Sequence, residues 1–349
     1  MNTVLEYIKY YKNEDYNTCP FNDMDNIIFS ILSYLPLDGF NQKTLTIEDI
    51  SKILLQKSNT LRSMKKVAFN VLDKIKNSPR YSSAIISNYI SILDDKTQFS
   101  AMTIRYAKGQ CYVAYRGTDN SLIGWQENLE LAYKYPTNCQ KHAIEYLNNT
   151  IKFSDKIIYV GGHSKGGNLA MTAAMEANSN IFKRIKYVYN NDGPGFAKAQ
   201  FNSLKYDKMQ KKLKMFIPEE SSVGILLLNT ENYKVVKSKE HGPYQHYPTN
   251  WLCFGQFLEP GKLSKYSLKI QKQINDYALE TDDKDKEIMV KGLFDILKGS
   301  NIKYFYEVKD MSFKEFSDLV KNANNVDEKA KEAIITMVKS LISSETKKK

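Results

Sequence analysis

The feature that most constrains the fold is a short turn, Gly162-His163-Ser164-Lys165-Gly166, between two contrasting segments. The apolar run 157–160 stops at this turn and is typical of a buried strand. The small residues of 168–177 follow almost at once and are typical of a helix. A G-x-S-x-G turn between a strand and a helix holds its serine on a sharp bend with the hydroxyl exposed. The sequence therefore predicts an α/β fold in which Ser164 is the candidate nucleophile.

A phosphate-binding turn is the alternative interpretation of the same residues. The order Gly-His-Ser-Lys-Gly-Gly fits neither G-x-x-x-x-G-K-[ST] nor G-x-G-x-x-G, which are the usual phosphate-binding patterns. The pentapeptide alone arises by chance in roughly one chain of this size in ten, given ordinary glycine usage. The strand before it and the helix after it are what favour a nucleophile.

Further strands and helices extend the pattern. Four other segments are rich in strand-forming residues, and each of the last three ends in a polar or glycine-containing cluster: 99–106, 110–115, 185–189 and 213–217. Helix-like segments lie between them and at both ends of the chain. We predict an α/β-hydrolase-like mixed, mainly parallel sheet flanked by helices, with helical N- and C-terminal extensions. The corresponding division is 1–95, 96–262 (the core) and 263–349.

The catalytic base has to come from four histidines, because a serine hydroxyl needs a base to remove its proton. In α/β-hydrolases the base follows the nucleophile and the acid along the chain. His246 and His241 both lie after the last predicted strand, and His246 is the preferred base with His241 as the alternative. His163 adjoins the nucleophile and is expected to point away from it, whereas His142 lies in a predicted helix.

The acidic partner of the base has two candidates. Glu220 follows the later strand, which suits the usual position of the acid. Asp192 follows the strand after the nucleophile, in an Asn-Asp-Gly-Pro-Gly run that is also a natural turn. The sequence favours Glu220 slightly and leaves Asp192 open. For the oxyanion hole, the backbone N–H of Lys165 and that of Thr118, at the end of an upstream strand, are the expected donors.

Several of these motifs together resemble known hydrolases. The segments 115–118 and 162–167 resemble the F-R-G-[ST] and G-H-S-x-G-G pair of class 3 lipases. Combined with Asn22-Asp23-Met24-Asp25, Gly124-Trp125, 191–196 and Gln245-His246, they resemble a bacterial lipase-like α/β-hydrolase family catalogued largely as a domain of unknown function. The resemblance covers about residues 20–260. It implies an α/β-hydrolase fold, with Ser164, His246 and the Thr118 region in the roles given above, but class 3 lipases have aspartate where this chain has Glu219-Glu220.

Composition limits the other functional classes. The formal net charge is +11, but only five of the 50 basic residues are arginine and the lysines are spread along the chain, so no nucleic acid is expected as a partner. No apolar run approaches the ~20 residues that span a bilayer, although peripheral contact with an anionic membrane stays open. The four scattered cysteines and the absence of a signal-peptide pattern favour a cytoplasmic protein. No motif calls for a metal or a cofactor.

The sequence thus predicts a serine hydrolase that cleaves a carboxylic ester or another small acyl substrate through a Ser-His-acid triad. The alternative is a catalytically inactive binding or scaffolding protein on an α/β-hydrolase fold, which the uncertain acid favours. The substrate and the oligomeric state do not follow from the sequence.

Overall fold

The computed structural model describes residues 2–40, 44–57 and 63–300, together with parts of 302–335. An eight-stranded sheet forms the centre, and its strands lie side by side in the order in which they occur along the chain. They are β1 (Leu45–Thr46), β2 (Ile85–Leu93), β3 (Gln98–Ala107), β4 (Gln110–Tyr115), β5 (Ile157–His163), β6 (Ile185–Asn191), β7 (Leu213–Pro218) and β8 (Lys234–Val236). A separate hairpin consists of β9 (Cys253–Phe254) and β10 (Phe257–Leu258).

The sheet changes character at β4. Neighbouring strands from β1 to β4 are antiparallel, and those from β4 to β8 are parallel. Parallel neighbours need crossover connections, which are right-handed and therefore all fall on one face when the strand order does not reverse. The carboxyl ends of β5, β6, β7 and β8 meet at one edge of the sheet, which is where open α/β sheets bind ligands.

Helices cover both faces of the sheet. The first layer holds α1 (Val4–Tyr11), α2 (Asp23–Leu32), α3 (Ile47–Leu54) and α4 (Ser63–Ile75). The crossover layer holds α5 (Leu122–Glu130), α6 (Asn138–Thr150), α7 (Lys165–Met175), α8 (Ser179–Arg184), α9 (Lys198–Phe201) and α10 (Leu204–Gln210). Each layer packs an apolar cluster against the sheet, and every residue of α2 is buried. Burial on both faces explains why the parallel strands are almost uninterruptedly apolar.

The C-terminal part contributes α11 (Lys265–Glu280), α12 (Asp283–Gly299) and α13 (Phe313–Lys321). Apolar side chains of α12 and α13 form a third cluster with Leu122 of α5. Asn275 of α11 accepts a hydrogen bond from the backbone N–H of Leu227 at 2.8 Å. The C-terminal helices therefore pack on the sheet domain at α5 and at the loop that contains Leu227. The division at residues 95 and 262 stays a prediction, and the Lys347–Lys349 tail lies outside the described residues.

The predicted fold class is confirmed: the sheet is mixed, mainly parallel around Ser164, and flanked by helices. Thr46 is the N-cap of α3, with the reciprocal hydrogen bonds of a capping box to Asp49. The expectation that the first ~95 residues are wholly helical is wrong, because 85–93 forms β2. Asn88, with φ of 56°, lies at a bulge between β2 and β3, and this bulge disturbs the alternation that marks a strand.

Candidate active site

Ser164 stands alone between β5 and α7 in a strained backbone conformation. Its φ is 58° and its ψ is −135°, a region that residues with side chains rarely adopt. The flanking glycines make this turn possible. A Cβ at Gly162 would lie 2.4 Å from the backbone of Gly166, and a Cβ at Gly166 would lie 2.2 Å from the carbonyl oxygen of Tyr115. The G-x-S-x-G spacing thus reflects backbone packed directly on backbone.

Asp192 and His246 form a hydrogen-bonded pair at the same edge of the sheet. The Nδ1 of His246 donates to the Oδ2 of Asp192 at 2.6 Å, and the carboxylate is completely buried. The other carboxylate oxygen accepts from the Ser221 hydroxyl at 2.5 Å and from the Gly224 N–H at 3.0 Å. These contacts hold the carboxylate in one orientation and leave the Nε2 of His246 without a carboxylate partner. This arrangement fixes the tautomer with a proton on Nδ1.

Glu220 contacts the turn that carries His246 and not the imidazole itself. Its carboxylate accepts from the N–H of Gly242 at 2.5 Å and from the side chain of Gln245 at 3.4 Å, and its own N–H donates to Gln245 at 2.9 Å. Glu220 therefore fastens the short 3₁₀ turn 242–246 that ends at His246. The structure brings Asp192, and not Glu220, to the imidazole. His241, the alternative base, is exposed at the start of the same turn.

His163 connects the strand before Ser164 to the turn that carries His246. Its Nε2–H donates to the backbone carbonyl of His246 at 2.7 Å, and its Nδ1 accepts from the hydroxyl of Tyr34 at 2.9 Å. The centres of the two imidazole rings lie 4.4 Å apart. Burial, and then the nearby His246, lower the pKa of His163 well below its usual value. His163 therefore stays neutral and anchors the backbone of His246 to the residue directly before Ser164, a role that no local sequence pattern indicates.

Two backbone segments border Ser164 from other directions. A Cβ at Gly117 would lie 3.1 Å from the Cβ of Ser164, so the segment that continues into Thr118 passes directly beside the serine. The hydroxyl of Thr118 donates to the side chain of Asn128 at 2.9 Å. Lys165 is the first residue of α7, where backbone N–H groups lack intrahelical acceptors. On the far side, a Cβ at Gly193 would lie 2.2 Å from the carbonyl oxygen of Ser164.

The side chain of Lys165 forms a buried ion pair under the turn. Its Nζ donates to Glu127 at 2.9 Å and to the carbonyl oxygen of Gln98 at 2.9 Å, and both charged side chains are at most 1% exposed. Glu127 also accepts from the N–H groups of Gln98 and Cys139. The pair ties α7, β3 and α5 together directly below Ser164. Its two members are 38 residues apart in the chain, so local sequence patterns do not reveal it.

The comparison with protein families is consistent with this geometry. The model of the Mbeg1-like family, a lipase-like family, matches residues 75–295, which is more than half of the chain and includes Ser164, Asp192 and His246. The chain belongs to the Mbeg1-like family. The resemblance of its sequence to a lipase-like family is therefore confirmed. No curated protein matches the sequence of this Mbeg1-like chain.

Among solved structures, the Mbeg1-like chain is similar to a crystal structure of M37 lipase. The TM-score is 0.35 at 16% sequence identity, over 59% of this chain and 69% of the lipase chain, which is too distant to transfer any property. Within the residues that the structure describes, no helix is long and apolar enough to cross a membrane. Within the same residues, no group of three or more His, Cys, Asp or Glu side chains is arranged to hold a metal ion.

Proposed function

We propose that this Mbeg1-like protein is a serine hydrolase that cleaves carboxylic esters, with Ser164 as nucleophile, His246 as base and Asp192 as acid. The observation that carries the proposal is the hydrogen bond from His246 to the buried carboxylate of Asp192, at the edge of the sheet where the strained turn presents Ser164. The order Ser164, Asp192, His246 along the chain is also that of α/β-hydrolases. Membership of a lipase-like family supports the same reaction class.

The proposed reaction has two stages. In the first, the Nε2 of His246 takes the proton of the Ser164 hydroxyl as the Oγ attacks the ester carbonyl, and Asp192 stabilises the imidazolium that forms. The negative charge on the carbonyl oxygen is received by the N–H groups of Lys165 and Thr118. The intermediate collapses when its C–O bond to the alcohol breaks, and His246 gives its proton to the departing alcohol. Water then attacks the acyl-enzyme in the same way and restores Ser164.

The alternative function is a catalytically inactive binding or scaffolding protein on the same fold. The argument for lost catalysis is an uncertain acid, and the hydrogen bonds made by both carboxylate oxygens of Asp192, one of them from His246, support Asp192 as that acid. A strained serine backbone also costs of order 1–3 kcal/mol, and such strain is typical of functional sites.

The test is hydrolysis of p-nitrophenyl acetate, butyrate and octanoate by the full chain. We expect release of p-nitrophenol that falls by about 10⁶-fold in kcat in Ser164→Ala. Ser179→Ala, which changes an exposed serine at the start of α8, is the matched control and should retain full activity. Equal activity in Ser164→Ala and the wild type would refute the proposal.

A further inference from the structure

Arg116 is a buried cation without a counter-ion. The residue is 7% exposed and its Nε has no hydrogen-bond partner, and no ion pair joins its guanidinium to any residue that the structure describes. The other buried cations that the structure describes are paired, namely Arg80 with Asp25, Lys165 with Glu127, Lys286 with Asp283 and Lys331 with Glu328. Leaving a buried charge uncompensated is strongly unfavourable, so the exception calls for an anion from outside the chain.

Two further polar atoms without partners lie next to Arg116. The N–H of Arg116 donates to the carbonyl oxygen of Ser100 at 2.9 Å, which places the two residues opposite each other on β3 and on the chain just beyond β4. Gln98 is two residues from Ser100 and so shares its face of the sheet. The Oγ of Ser100 and the Oε1 of Gln98 are buried and unsatisfied. A bound water would satisfy hydrogen bonds here, but it would not neutralise the charge of Arg116.

This group of polar atoms is close to the proposed nucleophile. Arg116 immediately precedes Gly117, whose Cβ position is 3.1 Å from the Cβ of Ser164 and 2.3 Å from the hydroxyl oxygen of Tyr34. Burial raises the pKa of Tyr34, the positive charge of Arg116 opposes that rise, and the negative charge of Asp119 adds to it, so both charges lie within electrostatic reach of the hydroxyl. Asp119 forms no ion pair with Arg116, and its carboxylate instead accepts from the N–H and the hydroxyl of Ser121. Neighbouring Cα atoms are about 3.8 Å apart, so the backbone of Arg116 lies one residue from the segment that passes beside Ser164.

We infer that Arg116 binds a carboxylate or phosphate group of the substrate, so that the preferred esters carry an anionic group near the scissile carbonyl. The inference rests on the proposed hydrolase function. A guanidinium presents several N–H donors in a plane and pairs with both anions through two parallel hydrogen bonds. Ser100, through its hydroxyl, is placed to donate a further hydrogen bond to the same group. The anion supplies the counter-charge that the described part of the chain does not.

The kinetic test compares esters that differ only in charge. Mono-p-nitrophenyl adipate carries a free carboxylate that cannot close a five- or six-membered anhydride on its own ester, and its methyl ester is the neutral counterpart. We expect the wild type to favour the anionic ester by about 10- to 100-fold in kcat/KM, as for a hydrogen-bonded charge pair. In Arg116→Gln the ratio of the two kcat/KM values should fall to about one, whereas Arg116→Lys should keep part of the preference. Lys96→Gln removes an exposed charge and should leave the ratio unchanged.

A second variant supplies the anion internally. Ser100→Asp places a carboxylate on the residue directly opposite Arg116, where the serine hydroxyl has no partner. It should abolish the preference for the anionic ester although Arg116 is present, and it covers the case in which Arg116→Gln does not fold. Equal kcat/KM for both esters in the wild type would overturn the inference. So would an equal loss on both esters in Arg116→Gln, which would assign Arg116 to stabilisation of the oxyanion instead.

Measurements of anion binding test this inference separately from the proposed ester hydrolysis. Titration of Ser164→Ala with succinate and with inorganic phosphate measures the anion site without any turnover, and the two probes distinguish the carboxylate from the phosphate. We expect one of them to bind and to lose at least about tenfold in affinity in Ser164→Ala/Arg116→Gln. Arg116-dependent binding by a protein that hydrolyses no ester would refute the hydrolase and leave the anion site standing. Absence of binding by both anions, with hydrolysis intact, would refute only the anion site.

Discussion

The Nδ1 of His246 donates to the carboxylate of Asp192 at 2.6 Å, although the longer Glu220 follows the neighbouring strand. The conformation of the loops after β6 and β7 determines which of the two carboxylates reaches His246. Asp192 has a φ of 53°, and its carboxylate is fixed by Ser221 and Gly224 from the loop after β7. Glu220, two residues beyond the end of β7, is engaged with the backbone of the turn that carries the histidine.

The hydrogen bond between His246 and Asp192 predicts that substitutions of Asp192 and Glu220 have unequal effects on kcat. Asp192→Asn should lower kcat by about 10⁴-fold, because the amide no longer stabilises the imidazolium and favours the wrong tautomer. Glu220→Gln keeps the acceptor oxygen toward Gly242 and should lower kcat by less than about tenfold. Steady-state hydrolysis of p-nitrophenyl butyrate by both variants, with circular dichroism as the folding control, decides the assignment. A larger loss in Glu220→Gln would reverse it.

The buried His163 should make stability depend on pH. Its pKa is lowered well below the usual value in the folded chain, so the unfolded chain takes up a proton near pH ~6.5 that the folded chain does not. The unfolded state then binds more protons, and the free energy of unfolding falls by about 1.4 kcal/mol per pH unit as the pH drops below ~6.5.

His163→Gln should remove that contribution. Urea unfolding of the wild type and the variant at several values between about pH 5 and pH 7 gives the two slopes. The difference between them isolates His163, since every other titrating group is common to both proteins. Parallel slopes would contradict the neutral, buried state of this imidazole.

The ion pair between Lys165 and Glu127 is expected to be strongly coupled. Each of Lys165→Met and Glu127→Gln leaves a buried charge unpaired and should cost about 3–5 kcal/mol in the free energy of unfolding. The double variant should cost less than the sum by about 2 kcal/mol or more. The exposed pair Lys52–Glu48 is the matched control, in which no measurable coupling is expected. Additive losses at Lys165 and Glu127 would show that they act independently.

The strained backbone of Ser164 predicts an order of stabilities. Glycine adopts a φ of 58° without steric cost, whereas alanine carries the same strain as serine. Ser164→Gly should therefore be more stable than Ser164→Ala by about 1 kcal/mol, after allowance for the greater freedom of glycine in the unfolded chain. Thermal unfolding of the two variants measures the difference. A glycine variant less stable than the alanine variant would mean that the turn is not strained.

Local patterns in the sequence are sufficient to predict the turn that carries Ser164 and the elements on either side of it. The G-x-S-x-G turn, the strand before it and the helix after it follow from residues adjacent in the chain, and so does the N-cap at Thr46. The candidate acid was limited to Asp192 or Glu220 because both follow strands. Local patterns could not choose between them, since the choice depends on a left-handed backbone at Asp192 that residues far along the chain stabilise.

Other features of the structure cannot be predicted from local patterns in the sequence. β2 was missed because the bulge at Asn88 interrupts its alternation of apolar and polar residues. The contacts of Tyr34 with His163 and of Glu127 with Lys165 join residues 129 and 38 positions apart. The unpaired state of Arg116 is equally invisible in sequence, because it is defined by the neighbours that the fold does not supply.

The most direct test of the account is labelling of the full chain with a fluorophosphonate probe, followed by mass spectrometry of the peptides. An activated serine reacts with such a probe, and an ordinary serine does not. We expect a single label on Ser164 in the wild type and in Ser179→Ala, and none in Ser164→Ala or His246→Ala, with all four proteins folded. A folded wild-type chain that takes no label, or takes it on another serine, would contradict the assignment of Ser164 as a nucleophile activated by His246.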